Sequence, residues 1–304
     1  MPGISQPRPA RASTLGIYLS TYTTPAAFPG EVWNALRQNE RAANVLLPQA
    51  LSALHEERTA SEQFWITCKT AHSPHEKPQL EFILSCTEWH MGTYPVFLVS
   101  TLPSSSLTPA FLAPRVAMLA SELRECVPSR RVYSIFAPAP LAKAFAQAWT
   151  NVAGVKLEEN PYYAARFSHC SKGTHVGRTQ TAPADMIYNL RLACEDDVSQ
   201  VAALCKGFAS DSVSRLFYNY LQKFIQPQEP FVLDEEGALK EATYLIANQF
   251  AWVHEVIHNG KSELACLVAT TRNSERVHTI SKVYTPPAWR KRGCAERLVR
   301  HVCQ

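Results

Sequence analysis

The chain has 304 residues, of which 46% are hydrophobic and 18% charged; this is a globular composition, long enough for two domains of ordinary size. The net charge is +4 and the basic residues are dispersed except at Arg290 to Arg292, so a nucleic-acid partner is not expected. Nine cysteines, an odd number with no Cys-x-x-Cys pair and no Cys/His ligand spacing, argue for reduced thiols and against a disulfide framework or a bound metal.

Residues 1 to about 13 are rich in Pro, Arg and Ser without periodicity and read as a loose leader. The apolar run Leu15 to Leu19 is too short for a signal segment and nothing approaches a membrane span, so a cytoplasmic protein without a membrane partner is expected. From Glu31 the spacing of Val32, Leu36, Ala43 and Leu46 or Leu47 predicts helix, interrupted at Pro48 and resuming over Ala50 to Glu57. Phe64 to Cys68, Leu80 to Cys86 and Pro95 to Ser100 are short aromatic and β-branched runs between turns, which predicts a strand meander. Ala110 to Cys126 places Val116, Leu119 and Leu123 on one helix face, Arg131 to Ala137 reads as a strand, and Leu141, Phe145, Trp149 and Val152 form a helical stripe ending at Gly154. Tyr162 to Phe167 reads as a closing strand.

Ser171 to Asp185 has Gly and Pro but no apolar period and reads as a linker. After it Ile187 to Leu192 alternates as a strand, and Glu195-Asp196-Asp197 puts negative charge at the start of a helix faced by Val198, Val201, Cys205 and Phe208. Two more helical stripes follow, one from Val213 to Phe224 and one through Leu239, Ala242, Ile246 and Phe250. Phe250 to Val256, Leu264 to Thr270 and Val277 to Thr285 are expected strands.

The last stretch is the most informative. The strand from Val277 must stop at Pro286-Pro287, which cannot continue a ladder. Arg290, Lys291, Arg292 and Gly293 then lead into a helix with Leu298, Val299 and Val302 at helical spacing. Unpaired N–H groups, the positive end of the helix dipole and three cationic side chains make a site for a phosphate or pyrophosphate.

Arg290-x-x-Gly293-x-Ala295, preceded by Val283-Tyr284-Thr285-Pro286-Pro287, resembles the coenzyme A signature of the GNAT superfamily of N-acetyltransferases and the strand end of one microbial branch of it. Asn44-Val45-Leu46-Leu47 is similar to the entry helix of that branch. The resemblance implies an α+β, mixed-sheet GNAT fold with acetyl-coenzyme A as cosubstrate, no metal, and direct acetyl transfer to a primary amine of a small molecule or peptide. It implies cofactor contacts from Val283, Tyr284, Arg290, Lys291, Arg292, Gly293, Cys294 and Ala295, with a backbone N–H of Val283 or Tyr284 facing the thioester oxygen. It divides the chain into a degenerate GNAT-like half (14–170), a linker (171–185) and a GNAT domain (186–304). In the first half the Ser/Pro stretch Pro103 to Pro109 stands where a phosphate loop would be, which predicts a non-binding role.

A GNAT domain continues beyond its pyrophosphate helix with a further strand and helix, whereas this sequence stops at Gln304. The expectation is a truncated domain with weak cofactor binding, negligible transfer and a tendency to self-associate. A catalytic tandem protein and a non-catalytic binding or scaffold protein are therefore both open. For a base, only His254, Glu255 and His278 stand near the expected strands, and no spacing assigns the role to any of them. Cys294, a thiol at a helix N-terminus, is expected to have a lowered pKa but no catalytic part.

Overall fold

The computed structural model describes residues 11–12, 16–55, 63–71, 73, 75–89, 92–158, 167–176, 187–217, 233–258 and 261–304. The chain is mixed α+β and divides into two compact units, residues 1–159 with 273–277, and residues 160–272 with 278–304. Among the described residues no helix is long and apolar enough to cross a membrane, and all nine cysteines are free.

The first unit contains strands β1 (Arg11–Ala12) and β2 (Ile17–Tyr22), helices α1 (Gly30–Gln38) and α2 (Leu46–His55), and strands β3 (Phe64–Thr70) and β4 (Gln79–Cys86). A small hairpin, β5 (Glu88–Trp89) and β6 (Gly92–Thr93), then precedes β7 (Val96–Ser100), α3 (Pro109–Cys126), β8 (Ile135–Phe136) and α4 (Ala139–Ala153). Sheet order is β1-β2-β3-β4-β7-β8. Pairing is antiparallel except for β7 with β8, which run parallel through Val96↔Ile135 and Phe97↔Phe136. Strand alternation divides the core into two clusters. Ile66, Phe82 and Leu98 meet Leu119, Leu123 and Phe145 of α3 and α4, while Trp65, Ile83 and Val99 meet Val32, Leu36 and Leu47 of α1 and α2.

Under α3 lies a closed polar network. Arg115 is 8% exposed and donates to Glu81 from Nε (2.6 Å) and Nη2 (3.1 Å), and the Thr70 hydroxyl donates to Glu81 Oε2 at 2.7 Å. A guanidinium fork on a carboxylate is the geometry in which a buried pair offsets its own desolvation.

The second unit contains β9 (Ile187–Leu192), α5 (Val198–Phe217), α6 (Glu235–Ala247), β10 (Ala251–His258), β11 (Lys261–Thr270), β12 (Ile280–Tyr284) and α7 (Cys294–Val302). Its antiparallel sheet has the order β12-β11-β10-β9. One face packs Val253, Leu267 and Ala269 against Val201, Cys205, Ala242 and Leu245 of α5 and α6. The other packs Val256, Ala265, Cys266 and Val268 against Cys294 and Leu298 of α7.

Several sequence expectations are corrected here. The pattern from Glu31 is two helices: α1 stops at Gln38, and α2 already runs through Pro48, which sits in the first turn where its missing N–H costs nothing. The Arg131 strand shrinks to Ile135–Phe136, because Arg131 closes a 3₁₀ turn and folds inward to donate to the carbonyls of Thr87 (2.6 Å) and Tyr94 (2.9 Å). The Val277 strand begins only at Ile280, with a register shift where β11 meets it at Ala269/Thr270. Leu239 and Val152 are exposed rather than buried on their stripes. One helix covers Val198 to Phe217; the rest of the Val213–Phe224 stripe lies outside the described residues. The closing strand expected from Tyr162 is likewise outside them except for Phe167, which is exposed, and so is the linker beyond Val176.

Candidate functional site

The candidate site is the connection from β12 to α7. Pro286 ends the strand, a 3₁₀ turn spans Pro287–Trp289, and Arg290 returns to extended backbone. Lys291 (φ +61°) and Gly293 (φ +74°) then take left-handed conformations before α7 starts at Cys294. A left-handed non-glycine residue is strained by about 1–2 kcal/mol, so the turn is held by its surroundings. Gly293 caps α7 without any side-chain hydrogen bond. Among the described residues the N–H groups of Lys291, Arg292, Gly293 and Ala295 make no hydrogen bond. Donors open to solvent at the positive end of a helix can receive an anion.

The flanking cations are not equivalent. Arg290 donates to the Thr285 carbonyl at 3.0 Å, pairs with Asp211 of α5 and lies 5.9 Å from the Tyr284 ring centre. It ties the loop to α5. Arg292 lies over the Trp289 ring at 5.0 Å, and Trp289 is itself fixed by donating Nε1–H to Glu263 at 2.9 Å. Arg292 and Lys291 are exposed and have no acidic partner among the described residues. Cys294 is 1% exposed, and burial pushes its thiol pKa up, against the lowered value expected from the helix N-terminus. Ala295 packs beside it. These two positions can offer backbone but no side-chain chemistry.

Val283 and Tyr284 sit together at the end of β12, opposite Val268 and Leu267 of β11. Tyr284 leans on α5 at Gly207, where a Cβ would lie 2.5 Å from the tyrosine ring. Only glycine lets helix and strand approach so closely. Gly207, Phe208 and Asp211, spaced along one face of α5, meet Tyr284, Lys282 and Arg290 in turn.

Of the three proposed bases, His254 is joined to the loop through Arg297, whose Nη2 donates to the Arg292 carbonyl at 2.7 Å. Glu255 accepts from Arg191 Nε (2.9 Å), Asn189 (3.2 Å) and Ser262 (2.6 Å), and these bonds, Arg191 foremost, hold its pKa down at about 2. Arg191 also grips Asp197, which accepts from the N–H of Cys194, so Glu255 belongs to a network joining β9, β10 and the start of α5. His254 is fully buried against the ring of Tyr188 at 4.8 Å. Desolvation, with the Arg297 charge, lowers its pKa to about 4, and its Nε2 accepts from Arg297 Nε at 3.2 Å. His278 is exposed and lies ahead of β12 rather than on it.

Sequence reasoning missed Asp211, Arg297 and the pair Glu241–Lys282. A signal existed for two of them: Glu241 stands among Ala238, Ala242 and Leu245 on the buried stripe of α6, and Arg297 stands beside Cys294 and Leu298 on that of α7. A charged residue at a core position demands a partner. Among the described residues no group of three His, Cys, Asp or Glu side chains could hold a metal ion. No protein-family model matches the chain, and no curated protein matches it.

Proposed function

We propose that the 290–295 loop binds the pyrophosphate of coenzyme A and that the chain is a GNAT-type N-acetyltransferase, moving the acetyl group of acetyl-coenzyme A to a primary amine. The observation that carries this is the left-handed turn at Lys291 and Gly293, which leaves four backbone N–H groups free at the head of α7 immediately beyond β12. Exposed Lys291 and Arg292 add the charge that a pyrophosphate needs, while Arg290 holds the loop to α5. The cosubstrate would supply an activated thioester; the chain supplies the anion site and the strand end beside it. Strand, two helices, three strands and a helix is the order of the second unit, and the first unit has that order too once its two-residue strands β1, β5 and β6 are set aside, with a parallel β7–β8 pair after its helix. That recurrence supports a tandem GNAT architecture, and nine free cysteines fit a reducing, cytoplasmic setting.

Titration calorimetry with coenzyme A tests the site. Gly293→Val, which cannot take the left-handed turn at low cost, should weaken binding by at least about tenfold. Equal affinity of variant and wild type would refute the assignment.

A second reading, a non-catalytic binding module on the same fold, is favoured by the state of Glu255 and His254, one locked in ion pairs and the other buried and neutral. Thiol release from acetyl-coenzyme A with a panel of polyamines, aminoglycosides and peptide amines separates the two. Release above the amine-free rate supports the transferase; binding without release supports the module.

A further inference from the structure

Arg297 stands in the first turn of α7, next to the core residue Leu298, and is itself 7% exposed. Two costs attach to a cation there. Burial strips it of water, and the positive end of the helix dipole repels it. A residue serving packing alone would be apolar at this point, so the guanidinium calls for another use.

Its hydrogen bonds show what it holds. Nε donates to His254 Nε2 at 3.2 Å, and the His254 ring is stacked on Tyr188, which fixes the guanidinium against β10 and β9. From that fixed point Nη2 donates to the Arg292 carbonyl at 2.7 Å, and the backbone N–H of Arg297 donates to the Gly293 carbonyl at 3.1 Å. One residue thus holds two successive carbonyls of the loop. Among the described residues no peptide bond is cis, and across a planar trans peptide the C=O and the N–H point in opposite directions. Turning the Arg292 carbonyl inward to Arg297 therefore turns the Gly293 N–H outward. That N–H is one of those that make no hydrogen bond among the described residues.

We propose that Arg297 is the positioning residue of the anion loop: it holds the peptide between Arg292 and Gly293 so that the Gly293 N–H faces a bound phosphate, and its buried charge adds to the attraction. This rests on the coenzyme A reading of the loop and names the residue that sets the donor before the anion arrives. The dipole argument then changes sign. Without an anion, Arg297 and the helix end repel each other; with one, both face negative charge. Exposed Lys291 and Arg292 are screened by salt, whereas a buried charge is screened much less.

The test uses the full chain with isotope-labelled glycine, inorganic pyrophosphate as the first probe and coenzyme A as the second. The amide cross-peak of Gly293, identified by its absence from Gly293→Ala, should move as pyrophosphate is added to wild type. Arg297→Met, close in length and without charge, should weaken both probes in calorimetry by at least about tenfold, the value of one hydrogen bond to a charged group. Arg297→Lys keeps the charge and one donor, so its affinity should lie between the two. A moving Gly293 cross-peak together with that order of affinities sustains the role. Unchanged affinity in folded Arg297→Met, or a lysine variant as weak as the methionine one, overturns it and leaves the loop assignment standing. Should Arg297→Met fail to fold, the wild-type spectrum still decides: a Gly293 cross-peak that stays in place while pyrophosphate binds overturns the role. If wild type binds neither probe, the loop assignment itself falls, and the positioning role with it.

Discussion

The two units share an order of main elements and contrast at the joint between strand and helix. In the first, β7 reaches α3 through a Ser/Pro stretch with a 3₁₀ turn at Ser104–Ser106, and the helix is closed by its own sequence: the Thr108 hydroxyl accepts from the Phe111 N–H at 3.3 Å, and Pro109 has no N–H to satisfy. In the second, β12 reaches α7 through two left-handed residues, and Gly293 offers no side chain to cap the helix. One helix start has a side-chain cap and the other has none. Among the buried charges, Glu81 under α3 has both oxygens occupied. Closed polar groups serve stability; open ones are where a ligand can gain the hydrogen bonds that the fold leaves unmade.

The largest expected effect breaks the closed side of this comparison. Glu81→Leu leaves Arg115 buried without its carboxylate, and removing one partner of a buried pair costs about 3–5 kcal/mol. Chemical denaturation followed by tryptophan fluorescence should show the loss. Glu81→Leu combined with Arg115→Met should recover most of it, since two apolar residues leave no stranded charge. A double variant as unstable as the single one would mean that shape, not charge, dominates the site.

Next in size is an acid-sensitive core in the second unit. His254 has a folded-state pKa lowered to about 4 from 6.5 by burial and by Arg297. Between those values the unfolded chain binds the proton and the folded chain resists it, so stability rises with pH through this window. The contribution is fully present above about pH 6.5 and is lost as pH falls toward 4, amounting to about 3 kcal/mol at 1.36 kcal/mol per pKa unit. His254→Gln keeps an acceptor for Arg297 and does not titrate. Its denaturation midpoint should be flatter than that of wild type between pH 6.5 and 4. Parallel slopes would show that His254 is not the group responsible.

Much of this fold was legible because its signals are local. The meander at Phe64 to Ser100, the α3 face of Val116, Leu119 and Leu123, and the left-handed Gly154 after α4 follow from periodicity and end chemistry within a few residues. Proline ends β12, and glycine together with basic residues marks the loop, so its location could be read as well. What decides the chemistry is long-range. Arg290 is turned to Asp211 and Arg297 to His254, partners 79 and 43 residues away, and no pattern in a single window pairs them. The buried state of Cys294 is of the same kind: helix-end electrostatics alone predicts a lowered thiol pKa, but the sheet face that covers it reverses the sign. Where strands fell short, as at Arg131, a long side chain reaching two distant carbonyls outweighed local β preference.

The smallest effect sharpens the comparison at the two helix starts. Thr108→Ala removes the hydroxyl that accepts from Phe111 and should cost about 1 kcal/mol, the usual value of an N-cap. It should not create anion binding in the first unit, because no left-handed residue leads into α3 as Lys291 and Gly293 lead into α7. Gly293→Ala is the counterpart in the second unit. It removes no cap, since none exists, but it places a Cβ on a residue at φ +74°, with a strain of about 1–2 kcal/mol. Similar losses of stability should thus have opposite ligand signatures. Thr108→Ala leaves coenzyme A affinity unchanged, and Gly293→Ala lowers both stability and affinity. If Gly293→Ala lost stability alone, the open N–H groups of α7 would be a consequence of the turn and not its purpose.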